Sequence, residues 1–239
     1  LERLLNASPS RTFDVESTQA SQAYAGATDN PNAIIGVLET TGLVLTHKNQ
    51  VLPAYYSSTC GGAGLSPDGA FANDQYLPPL EPIEHPPYCR DSRYFDWGPI
   101  RRNLVSLGDR MTAWGRQRRH PIRNLGRITD IQISERNHLD RPQRFTIIDD
   151  RGNAYDLSAD EFRVAANSRA AGPLPRNQRL LSAFVELEIR GSEVFIVGRG
   201  FGHGIGLCQY GAQRMATEGH TAIEILGTYY PGALIERAY

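Results

Sequence analysis

Cysteine is scarce in this chain, with three in 239 residues (Cys60, Cys89 and Cys208), too few for a disulfide scaffold. Two readings of them stay open. In an exported protein Cys60 and Cys89 pair, since both lie in the Gly/Pro-rich middle of the chain; otherwise all three are buried or half-buried thiols. An excess of charge of either sign is also lacking, because 26 acidic residues nearly cancel 25 basic ones. No global field therefore points to nucleic acid. No apolar run approaches the ~20 residues that span a bilayer. No secretory signal is visible in Leu1 to Arg11, which is short and polar. The opening Leu1-Glu2-Arg3-Leu4-Leu5 without methionine reads as a trimmed or processed form, with any export signal or anchor expected in the missing segment. Metal-ligand spacing is missing as well: His47, His85, His120, His138 and His220 are scattered. No metal and no cofactor are expected.

What the chain has in abundance is glycine around one imidazole. Gly198, Gly200, Gly202, Gly204 and Gly206 alternate through Gly198-Arg199-Gly200-Phe201-Gly202-His203-Gly204-Ile205-Gly206, which runs into Leu207-Cys208-Gln209-Tyr210-Gly211-Ala212. Glycine weakens a strand, so this cluster implies positive φ angles or very close backbone approach. Cys208 to Glu218 reads as a helix stopped by Gly219. A glycine loop entering a helix N-terminus offers free N–H groups beside His203, as a substrate-facing loop would.

Periodicity places the rest. Asn30-Pro31 opens a helix to about Thr41, with Ala33, Ile34, Val37 and Leu38 on one face. Hairpins are expected from Leu43–Thr46 with Val51–Tyr56, from Arg144–Ile148 with Ala154–Leu157, and from Phe184–Ile189 with Glu193–Val197. Gly126 to Arg136 reads as a strand, Ile100 to Met111 as a short helix, and Ser158 as the cap of a helix to Ala165. Ala63 to Trp97 is a long Pro/Gly-rich loop, functional or mobile. Arg101, Arg102, Arg110, Arg116, Arg118, Arg119, Arg123 and Arg127 cluster, which reads first as a solvated surface and second as a contact for anionic wall polymer or lipid. The fold class is α+β, dominated by antiparallel hairpins, with short helices near the C-terminus.

Gly198 to Gly219 with Ala222–Ala233, together with Tyr55-Tyr56-Ser57-Ser58-Thr59-Cys60-Gly61-Gly62, resembles the SpoIID/LytB family of bacterial cell-wall proteins. A weaker third match covers Phe13-Asp14-Val15, Ser21 to Gly26 and Ala33 to Leu45. The family includes sporulation stage II protein D, a peptidoglycan lytic transglycosylase, and amidase enhancers. The resemblance implies one domain over 1–239, with lobes near 1–98 and 99–239 around a cleft. It also implies an extracytoplasmic location, with peptidoglycan glycan strands as partner and a cell-wall amidase as a second. Some members bind zinc through Cys and His in the stretch matching Val15 to Gln22; Glu16, Ser17, Thr18, Gln19, Ala20 and Ser21 stand there instead. In the SpoIID enzymes a glutamate followed by an Ala/Lys/Gln-rich helix moves the proton, and that segment would lie upstream of Leu1. Neither Glu2 nor Glu16 matches it. The chain as given is thus expected to bind glycan and to cleave weakly or not at all, with its catalytic residue unknown. The alternative is a non-catalytic amidase-enhancer module.

The residues expected to hold substrate are Ser57, Ser58, Cys60, Gly61, Gly62, Gly202, His203, Gly204, Gln209 and Tyr210. His203 is read as an auxiliary that positions a sugar or acetamido oxygen or takes part in proton transfer. A Ser–His pair lacks an elbow motif and an orienting carboxylate. A thiol nucleophile at Cys60 lacks any sign of a lowered pKa, and Cys60-Gly61-Gly62 reads as packing in a tight turn. Tyr229 and Tyr230 read as core.

Overall fold

The computed structural model describes residues 26–72 and 75–238. The stretches 13–25 and Val15 to Gln22, with Glu2 and Glu16, lie outside them. The described chain forms two compact units, one of residues 26–54 with 232–238 and one of residues 55–231. It is an α+β fold of helices and small sheets.

In the smaller unit, helix α1 (Pro31–Glu39) starts where Asn30 accepts the Asn32 N–H and Pro31 supplies a preset φ. Its apolar face is not covered among the described residues: Ile34, Ile35, Val37 and Leu38 are all exposed. Strand β1 (Leu43–His47) pairs with β2 (Gln50–Val51) and with β11 (Leu234–Arg237), antiparallel in both cases. Lys48 and Asn49 both take positive φ at the hairpin turn, as a two-residue loop matched to strand twist requires. The second strand stops early because Pro53 lacks a ladder donor, so Tyr56 is not part of this hairpin.

The larger unit carries three sheets. Strands β5 (Ile128–Arg136), β6 (Pro142–Asp149) and β7 (Ala154–Ser158) form one meander. Strand β4 (Asp96–Asn103) pairs with β9 (Glu193–Arg199), which pairs with β8 (Val185–Arg190). The third is a short parallel pair of β3 (Tyr56–Ser57) with β10 (Leu207–Cys208). Helices α2 (Pro67–Ala70), α3 (Leu104–Arg118), α4 (Ala159–Ala166), α5 (Gln209–Thr217) and α6 (Ala222–Tyr229) complete it.

The core lies where α3 and α4 meet the meander. Leu107, Met111, Ile122, Phe145, Ile147, Leu157 and Phe162 are fully buried, and the rings of Phe145 and Phe162 stack 4.0 Å apart. Ser158 caps α4, as its sequence predicts, and Glu161 reciprocates by accepting the Ser158 N–H. Residues 100–103 depart from the helix expected over Ile100–Met111. They are strand, because they pair with β9 from Ile196 to Glu193, and Asn103 then starts α3 by accepting the Val105 and Ser106 N–H groups. The arginine cluster also divides. Arg102 and Arg110 are buried and donate to the carbonyls of Ala166, Gln178, Ser168, Gly172 and Pro173, whereas the other six are exposed.

Candidate functional site

Strand β9 ends at Arg199, and the glycine loop that follows is pinned at every second residue. The Gly200 N–H donates to Phe95 O (3.0 Å) and the Trp97 indole to Gly200 O (2.8 Å). Phe201 and Thr59 exchange both backbone bonds, at 2.8 and 3.1 Å. Gly202 N–H reaches Leu181 O, and Leu65 N–H reaches Gly204 O. Four of the five alternate glycines have positive φ. Gly204 shows why no side chain fits: at φ +81° a Cβ would stand 2.4 Å from the Arg141 guanidinium.

The two sequence motifs are therefore one structure. Ser57 lies in β3 beside β10, Thr59 bridges to Phe201, and a Cβ on Gly202 would meet the Ser57 side chain at 2.8 Å. Arg141, which nothing in the sequence marked, binds the motifs together from beneath. Almost wholly buried, it donates to Cys60 O and Ala63 O, both at 2.6 Å, and to His203 O at 3.1 Å. Burial lowers its pKa to about 10, so it stays charged at neutral pH.

His203 is half-buried, its ring between Tyr55 and Phe71 with centroids 5.9 and 5.8 Å away. Nδ1 accepts the Ile205 N–H at 3.0 Å, which assigns the ring proton of the neutral imidazole to Nε2. Burial pushes its pKa down to about 4, against the upward pull of Asp160. Asp160 is itself held by Arg163. At neutral pH the ring is uncharged, and its N–H acts on the Tyr56 backbone carbonyl.

Ser57 Oγ is buried with no hydrogen-bond partner among the described residues, so no Ser–His pair forms. Ser58 is half-buried, and its carbonyl accepts the Tyr210 N–H. The first turn of α5 is consequently less open than its sequence suggests. The Tyr210 amide is taken by Ser58 O and the Gly211 amide by Cys208 Sγ. Gln209 and Tyr210 do face outward. Tyr210 sits edge-on to Tyr94, and Tyr94 edge-on to Phe201, with centroids 6.2 and 5.0 Å apart. Tyr94 is the member that periodicity missed, since it comes from the long loop; an aromatic beside Arg93, whose guanidinium covers its ring, was the available signal.

All three cysteines are buried free thiols. Burial and a raised pKa remove Cys60 and Cys208 as nucleophiles. The Cys208 and Cys89 thiols push Cys60 up, and the Cys89 contact with burial outweighs Cys60 in pushing Cys208 to about 11.

No family model matches the chain. Stage II sporulation protein D of Bacillus amyloliquefaciens is 42% identical over 207 residues, 87% of this chain and 51% of that protein. The amidase enhancer of Bacillus subtilis (strain 168) is 22% identical over 245 residues, 92% of this chain and 35% of that protein. The chain belongs to the SpoIID/LytB family. A shorter match, 46% identical over 59 residues, is to stage II sporulation protein D of Bacillus subtilis (strain 168), 25% of this chain and 17% of that protein. The chain thus spans about half or less of the length of these SpoIID/LytB relatives. Among the described residues no helix is long and apolar enough to cross a membrane.

Proposed function

We propose that this SpoIID/LytB chain works outside the cytoplasmic membrane and binds peptidoglycan glycan strands over the face of Tyr94, Phe201, Tyr210, Gln209 and Ser58. The observation that carries the reading is the junction of the two motifs. The Thr59–Phe201 bridge and the β3/β10 pair fix them as one surface, with an aromatic step turned outward. The C–H face of a sugar ring lies on aromatic rings, while its hydroxyl and acetamido groups need amide and hydroxyl partners. Ser57, Cys60, Gly61, Gly62, Gly202 and Gly204 shape this surface from beneath, and His203 positions the loop that presents it, its ring set between the Ile205 N–H and the Tyr56 carbonyl.

Positioning suits His203 better than acid catalysis. Its pKa of about 4 leaves it unprotonated at neutral pH, and among the described residues no carboxylate is hydrogen-bonded to its ring. A lytic transglycosylase needs a carboxyl that protonates the glycosidic oxygen and then takes the muramoyl 6-hydroxyl proton. The face described contributes binding and orientation to that chemistry. The same face serves the second reading, favoured by similarity to the amidase enhancer over 92% of this chain: glycan capture that stimulates a separate amidase.

Mass spectrometry of purified peptidoglycan after incubation with the chain, alone and with a cell-wall amidase, tests both. Anhydro-muramoyl ends establish the lytic reaction. Binding with faster peptide release by the amidase establishes the enhancer role. A chain that neither binds nor changes the products overturns the proposal.

A further inference from the structure

The three cysteines come from three distant segments, yet their sulfurs meet. Cys60 lies in the first motif, Cys89 lies in the long loop, and Cys208 caps α5; all three are almost inaccessible to solvent. The three Sγ atoms lie within 4.8 Å of one another, and Cys60 and Cys89 are 3.5 Å apart. A metal held at about 2.3 Å from each of three sulfurs sets them roughly 3.8–4.0 Å apart, which small side-chain rotations reach.

Backbone donors are already aimed at the sulfurs. Cys60 N–H and Gly211 N–H point at Cys208 Sγ at 3.3 and 3.4 Å, and the Gly61 and Gly62 amides act on Cys89. Such donors stabilise thiolates, the metal-binding form. The Arg141 guanidinium acts electrostatically on all three thiols and supplies a buried positive charge. A Zn(II) ion with three thiolates carries one net negative charge, which Arg141 balances. Tyr229 adds an independent sign. Its buried hydroxyl, packed against Gly211, has no partner among the described residues, and it too feels all three sulfurs.

We infer that Cys60, Cys89 and Cys208 form a binding site for one thiophilic d10 cation, Zn(II) or Cu(I), beneath the glycine loop. Soft thiolates select these ions, and an S3 set leaves an open position. These residues are separate from the Val15–Gln22 stretch. Uptake displaces the thiol protons as the metal–sulfur bonds form.

The test titrates the full chain, fully reduced and free of oxygen, with Zn(II) against a chromogenic chelator and separately with Cu(I) against a Cu(I) chelator. One equivalent is expected in at least one arm, with proton release read as buffer-dependent heat. Cys208→Ser keeps the helix cap, because serine accepts the same amide, and should stay folded by circular dichroism. It should lose affinity on the order of 100-fold and lose the metal-dependent rise in Tm. Cys89→Ser should do the same. No uptake in either arm overturns the inference. So does undiminished uptake by both folded variants.

Discussion

Arg141 holds the site together. Its buried guanidinium ties together three backbone carbonyls, two at the end of the first motif and one in the glycine loop. Arg141→Met leaves Cys60 O, Ala63 O and His203 O without this donor and should destabilise the chain by about 3–5 kcal/mol in urea unfolding. Gly204→Ala should cost on the order of 2–4 kcal/mol through the same contact, because φ +81° and the guanidinium both oppose a Cβ. His203 adds a pH dependence of definite sign. Its pKa falls from 6.5 in the unfolded chain to about 4 in the fold, so between those values the unfolded state binds more protons. The contribution is complete above pH 6.5 and is lost as pH falls toward 4, by on the order of 2–3 kcal/mol. Urea unfolding at pH 7 and pH 4.5 should show the loss, and His203→Gln should flatten it.

At the scale of elements, the aromatic step should be energetically separate from the fold. Tyr210 is 40% exposed and Gln209 is exposed, so Tyr210→Ala should leave Tm within a few degrees while weakening glycan binding about tenfold. Equal losses of binding and Tm would show instead that Tyr210 is structural. Local patterning made many elements legible: the Ser158 cap and the hairpins that join β1 to β2 and β8 to β9 are short-range signals. The glycine cluster marked the loop for a sound reason, since close approach and positive φ occur there together. Long-range pairing decided the rest. Residues 100–103 are strand because β9 lies beside them, and Tyr56-Ser57 form β3 because β10 does. Arg141 was silent in the sequence, and Tyr94 had only its neighbour Arg93 as a signal, because their roles depend on carbonyls and rings brought from at least 60 residues away. Meeting of the three cysteines was hidden similarly, since 29 and 148 residues separate Cys60 from its two partners.

For the whole molecule, the larger unit contains every residue of the proposed glycan face and of the thiol cluster. The glycine loop is their common wall, with the aromatic step outward and the sulfurs inward, joined through Thr59-Cys60 and Cys208. Metal uptake at the sulfurs should therefore tighten the loop that presents Phe201. The measurement that tests the central claim most directly is cosedimentation of the chain with purified peptidoglycan, wild type beside Tyr210→Ala and Gln209→Ala, with folding checked by circular dichroism. The account predicts that the wild type sediments with the wall polymer and that both folded variants shift to the supernatant. Wild-type chain that stays in solution, or folded variants that sediment as fully as wild type, would contradict it.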